Sequence, residues 1–162
     1  MFTALVFIIL LGLLIFVHEL GHFMTARRNG IKADEFGFGF PPRIFGLVKN
    51  AKIGRYKIVW GNKETNSAHT VYSINWIPLG GFVKIKGESG ENKDADSFAG
   101  KSAWVRIKVL MAGVVMNFVL AWALLSIALM VGVPEAIDEK EAVNFKDYKI
   151  QIVAVAPNSP AK

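Results

Sequence analysis

From Phe2 to Val17 the chain carries no charge, and Thr3 is the only polar side chain; then His18, Glu19 and His22 arrive together before the apolar character ends near Ala26. Helix over this run would extend roughly 37 Å, more than the ~30 Å hydrocarbon core of a bilayer. Three ionisable groups at the end of such a segment are costly in lipid and call for a shared purpose. A second block, Val109 to Val133, is interrupted only by Asn117 and Ser126 and is also long enough to cross. The two blocks explain an apolar share of 52% and a mean hydropathy of +0.36, and they predict a membrane protein.

Charge placement predicts the orientation. The N-terminus is a bare Met-Phe, and the basic pair Arg27 and Arg28 follows the apolar run, the charge order of a retained helix and not of a cleaved signal peptide. Between Arg27 and Lys108, basic residues outnumber acidic ones roughly two to one, and they crowd the two helix ends. After Val133 the flank turns acidic with Glu135, Asp138, Glu139 and Glu141. Residues 29–103 are therefore expected in the cytoplasm, with both ends of the chain on the other side. There is no Cys, which excludes disulfides and thiolate metal sites. The net charge of +6 resides beside the membrane segments and forms no isolated patch, so nucleic acid is not an expected partner.

The stretch His18-Glu19-Leu20-Gly21-His22 fits H-E-x-x-H. On a helix, His18 and His22 are about 40° apart and can present two imidazoles to one ion. Zinc takes such nitrogen ligands, and a catalytic site keeps one position open for water. Glu19, about 60° round from His22, can act as the general base and acid for that water in hydrolysis of a peptide bond. Alone, the motif is weak, since charged helix faces produce it by chance; the apolar Leu20, Phe23 and Met24 around it strengthen it. The third histidine, His69, falls in the polar stretch Asn66–Thr70 and reads as a surface residue.

The segment between the blocks reads as β-rich. Asn29-Gly30 is a helix stop. Glu35–Phe45 alternates aromatic residues with glycine until Pro41 and Pro42 end the run. Arg55–Trp60 and His69–Ile77 suggest a hairpin, with Tyr72, Ile74 and Trp76 on one face. In Gly80–Glu88, Val83 and Ile85 lie opposite Lys84 and Lys86. Trp76–Phe82 is either part of a packed small sheet or a sheet edge on which an extended substrate pairs through its backbone. Gly87–Gly100 reads as a mobile polar linker.

These motifs resemble the site-2 protease family of intramembrane zinc metalloproteases, in its bacterial, sigma-E-regulating, PDZ-containing form. The resemblance rests on Val17–Ile31, Phe36–Phe45, Ile77–Glu88 and Phe98–Ala121, in that order. It implies zinc ligation by His18 and His22, catalysis by Glu19, and cleavage of membrane-spanning substrates such as an anti-sigma factor or cleaved signal peptides. It also implies residence in the bacterial inner membrane. Gly80, Gly81, Phe82 and Asn117 are candidates for substrate contact; for Asn117 a contact to the catalytic helix or an interhelical hydrogen bond is the alternative. Where the family has Ala-Gly-Pro, this chain reads Ala112-Gly113-Val114. The family's third ligand is an aspartate in a later membrane helix, expected beyond residue 162. Residues 148–162 resemble the opening strand of a PDZ domain, of which roughly another seventy residues would be needed.

The organisation expected is thus a helix over 1–28, a cytoplasmic β loop over 29–103, a second helix over 104–133, a linker over 134–147 and an incomplete PDZ domain over 148–162. The functional expectation is the N-terminal catalytic part of an intramembrane endopeptidase, inactive as this piece alone. The alternative is a non-catalytic membrane scaffold or regulatory relative. A metal transporter would need more ionisable groups on the second helix than Asn117 and Ser126 supply.

Overall fold

The computed structural model describes residues 2–50, 54–63, 67–90 and 93–132. The expected linker and PDZ strand lie outside the described residues. Helix α1 spans Phe2–Arg28, strands β1, β2 and β3 span Ala33–Lys49, Tyr56–Trp60 and Val71–Ile85, and helix α2 spans Ala103–Val131. Two units divide at Ser126–Ile127. The sheet, α1 and all site residues belong to the first. In the second, the described residues continue α2 to Val131 and reach Gly132.

Both helices are long and apolar enough to cross a membrane. Their apolar side chains face outward: Phe7, Ile9, Phe118, Trp122 and Met130 are all exposed. In water that surface would be strongly unfavourable, and in lipid it is the matching surface.

α1 ends as Asn29-Gly30 predicts. Gly30 has φ 66°, its N–H donates to Arg27 O at 3.1 Å, and Ile31 N–H donates to Ala26 O at 3.0 Å. This is a Schellman cap, in which the left-handed residue is glycine because it has no Cβ to clash. The cap turns Ile31 back onto Ala26, and these join Ile85 and Val109 in the buried core, flanked by Val83, Phe98 and Val105.

The strands form one antiparallel sheet in the order β2-β1-β3. Pro41 and Pro42 do not end β1. They sit at its bend, and Arg43–Lys49 continues the pairing. β3 bends too, so Glu35–Phe38 has partners both in Gly81–Lys84 and in Val71–Ile74. The expected hairpin between β2 and β3 does not form. β2 pairs with β1 instead, Phe45 opposite Trp60 through Lys49 opposite Tyr56. The reason is that β1, being long and bent, reaches the position between them and takes the hydrogen bonds a hairpin would have used.

Tyr72, Ile74 and Trp76 do share a face, and it is the outer one; Val71, Ser73 and Asn75 on the other face are buried. The sheet is inverted relative to a water-soluble one. Its apolar side, continued by Tyr56, Ile58 and Trp60, is exposed, while the buried side sets the polar Arg43, Ser73 and Asn75 beside Val48 and Val71. There Arg43, 7% exposed, pairs with Glu35 at 3.2 Å and donates to the carbonyls of Gly61 and Lys63 at 2.8 and 2.6 Å.

Residues 93–100 form a packed turn, not the mobile linker their polarity suggests. Lys86 bridges Asp94 and Asp96 at 2.9 and 2.6 Å. Ser97 is fully buried: its hydroxyl donates to Asp94 O and accepts from Gly100 N–H. Phe98 N–H donates to Lys86 O, and its ring packs on the core.

Candidate metal centre

Three elements meet at the H-E-x-x-H turn of α1. The helix repeat stacks His18 and His22, with their Nε2 atoms 3.1 Å apart and their rings tilted by 76°. α2 crosses close on one side. Gly21 is buried against it; a Cβ there would stand 2.5 Å from Ala112 O. β3 packs on the other side, and Val83 N–H donates to Glu19 Oε2 at 3.2 Å.

Each imidazole is held from behind. His22 Nδ1–H donates to Val109 O at 2.7 Å, and His18 Nδ1 is 3.3 Å from Asn117 Nδ2. The acceptor Val109 O is the partner that metal-binding histidines ordinarily have on the far nitrogen, which fixes the His22 ring and its tautomer; at His18 the neighbouring atom is an amide nitrogen. Gly113 lies directly over the pair. A Cβ built there would be 2.5 Å from His18 Nε2 and 2.6 Å from His22 Nε2. A side chain at residue 113 would collide with both Nε2 atoms, and glycine leaves that space free.

The residues fit a zinc ion. Two nitrogens at the usual zinc distance and a tetrahedral angle would be roughly 3.3 Å apart, against the 3.1 Å observed. Among the described residues, no third His, Cys, Asp or Glu joins them as a ligand group.

The candidate substrate residues scatter. Asn117 is on the imidazole pair. Gly80, with φ 71°, and Gly81 lie against α1: a Cβ on Gly80 would be 2.6 Å from the Ile15 side chain, and one on Gly81 would be 3.0 Å from Phe16. Their missing side chains let the strand approach the helix, which carries Val83 to Glu19. Phe82 lines a cavity with Arg43 and Asn75 on the sheet, and His69 is exposed at the surface. Gly113, Val83 and Val109 were not evident from the sequence as site residues. Two act through backbone atoms and one through a missing side chain, none of which a motif of side-chain letters records.

A helix pair of membrane-crossing length that presents paired imidazoles beside a carboxylate defines a class, the H-E-x-x-H membrane metalloproteins. The chain belongs to peptidase family M50, the site-2 protease family, whose model matches residues 6–61 and 48–156. It is 37% identical to a Clostridium perfringens protein provisionally named zinc metalloprotease CPE1693, over 92% of this chain and 35% of that protein. It is 36% identical to the regulator of sigma-E protease RseP of Escherichia coli, over 79% of this chain and 26% of RseP. With the regulator of sigma-W protease RasP of Bacillus subtilis it shares 42% over 55% of this chain and 17% of RasP. The chain thus spans about a third or less of the length of these relatives.

Proposed function

We propose that this chain is the N-terminal catalytic part of a zinc-dependent intramembrane endopeptidase, with His18 and His22 as metal ligands and Glu19 as the catalytic carboxylate. One observation carries the reading: two imidazole Nε2 atoms converge within 3.1 Å, under a glycine, on a helix of membrane-crossing length. Zinc held there would acidify a bound water toward neutral pKa and polarise a substrate carbonyl. Glu19 Oε2 accepts from Val83 N–H, which leaves Oε1 to receive a proton from water and return it to the leaving amine. The same amide lies on β3, so a substrate segment extended along Gly81–Val83 would run past Glu19. The substrates on this reading are membrane-spanning proteins, such as an anti-sigma factor or a cleaved signal peptide, in a bacterial inner membrane. Residues 29–103 face the cytoplasm. A third ligand, an aspartate, comes from chain beyond residue 162, and the 162 residues alone are inactive.

The test is Glu19→Gln in the full-length protein. The amide can still accept from Val83 N–H, so zinc content should stay at wild-type stoichiometry while cleavage of a membrane-spanning substrate falls about 10²–10⁴-fold. Cleavage within tenfold of wild type would remove Glu19 from the mechanism, and a metal-replete wild type without cleavage would favour a scaffold.

A further inference from the structure

Asn117 meets His18 across the helix pair, Nδ2 3.3 Å from Nδ1. The Oδ1 of the same amide is buried and has no hydrogen-bond partner. An orphaned buried acceptor is uncommon and needs a reason.

The ring protons follow from their partners. Val109 O can only accept, so neutral His22 carries its proton on Nδ1 and its lone pair on Nε2. That lone pair faces His18 Nε2, which must then be the donor. His18 Nδ1 is left with a lone pair, and the Asn117 NH2 group donates to it. The chain of hydrogen bonds closes with one atom left over, Asn117 Oδ1.

A divalent ion on the pair needs the lone pairs of both Nε2 atoms. The His18 proton must then sit on Nδ1, where it would face another donor. A half-turn of the Asn117 amide removes that clash and gives the orphaned oxygen its partner. We propose that Asn117 is the positioning residue for His18. Its amide donates to the ring when the pair is bare and turns over to accept from it when the pair holds metal. The proposal rests on the reading of His18 and His22 as metal ligands and adds a device that couples loading to one side-chain rotation.

The experiment uses full-length protein in detergent, with zinc titrated against a chromophoric chelator. Asn117→Leu, which cannot accept, should weaken zinc binding about 10–100-fold, the usual effect of losing an outer partner of a metal-bound histidine. Asn117→Asp, which can only accept, should hold zinc at least as tightly as wild type. Equal affinity in Asn117→Leu and wild type overturns the proposal, as does an Asn117→Asp protein as weak as Asn117→Leu. Nitrogen-15 spectra of the histidines give a second readout on wild type alone: the His18 proton should be on Nε2 without zinc and on Nδ1 with it. One tautomer in both states overturns the proposal while leaving the metal centre standing. A wild type that takes up no zinc overturns both.

Discussion

Gly113 of α2 lies so close to His18 of α1 that a Cβ on the glycine would stand 2.5 Å from the imidazole Nε2. Gly113→Ala must therefore displace both rings or push the helices apart. We expect zinc affinity to fall at least about tenfold, since overpacking that displaces the rings costs about 1–3 kcal/mol, while membrane insertion is retained. Zinc stoichiometry of purified, membrane-extracted protein checks this, and full occupancy would show that the pair tolerates a methyl group.

Gly80 tests the strand's approach to α1. Alanine there meets Ile15 side-chain atoms at 2.6 Å and must adopt a φ of 71°. A cost of about 1–3 kcal/mol is expected from the strained backbone and overpacking. Because the glycines carry Val83 to Glu19, cleavage should fall while zinc binding is kept. A parallel loss of zinc would mean that β3 supports the imidazoles as well.

Arg43 tests the ion pair buried in the sheet. Its side chain and that of Glu35 are 6% and 18% exposed and 3.2 Å apart. Arg43→Ala leaves a buried carboxylate unpaired and should cost about 3–5 kcal/mol. Glu35→Gln with Arg43→Met should recover much of that, because no buried charge remains. Thermal unfolding of the two variants in one detergent decides it; equal destabilisation would show that the hydrogen bonds from Arg43 to Gly61 and Lys63 matter more than the ion pair.

The turn at residues 93–100 has a pH dependence of known sign. The Lys86 ammonium, hydrogen-bonded to Asp96, holds the Asp96 carboxyl below its ordinary value of 3.8. Its contribution is present above about pH 3.8 and is lost as pH falls through the lower folded value. Asp96, with Asp94, likewise raises Lys86, whose share is complete below its ordinary 10.5 and fades only in stronger alkali. The turn should hold from neutral pH down to about 4 and loosen below that. Hydrogen exchange of the Lys32 and Phe98 amides, bonded to Asp96 O and Lys86 O, reports it. The effect is small because the pair is solvent-exposed, and unchanged protection at pH 3 would show that buried Ser97 and Phe98 hold the turn alone.

Much of the framework was legible because it is local. The α1 cap follows from Asn29-Gly30, since a left-handed residue after a helix is a property of that one glycine. The pairing of β2 was not legible. Arg55–Trp60 and His69–Ile77 have the pattern of a hairpin, and nothing within them shows that Phe45–Lys49 competes for the same edge. Nor do the polar letters of Asp94–Gly100 reveal that Ser97 is buried, because its partners are backbone atoms brought close by the fold.

By itself, the sequence determined the two lipid-compatible helices and the facing of His18 and His22, because helix length and a four-residue stagger are fixed by backbone geometry alone. Only the tertiary structure decided what stands behind and above those rings: Val109 and Asn117 at the far nitrogens, Gly113 over the near ones, Val83 at Glu19. These partners come from residues 64 to 99 positions away in the chain. Their placement depends on how close two helices and a strand can pack, a sum over side chains that no short motif contains.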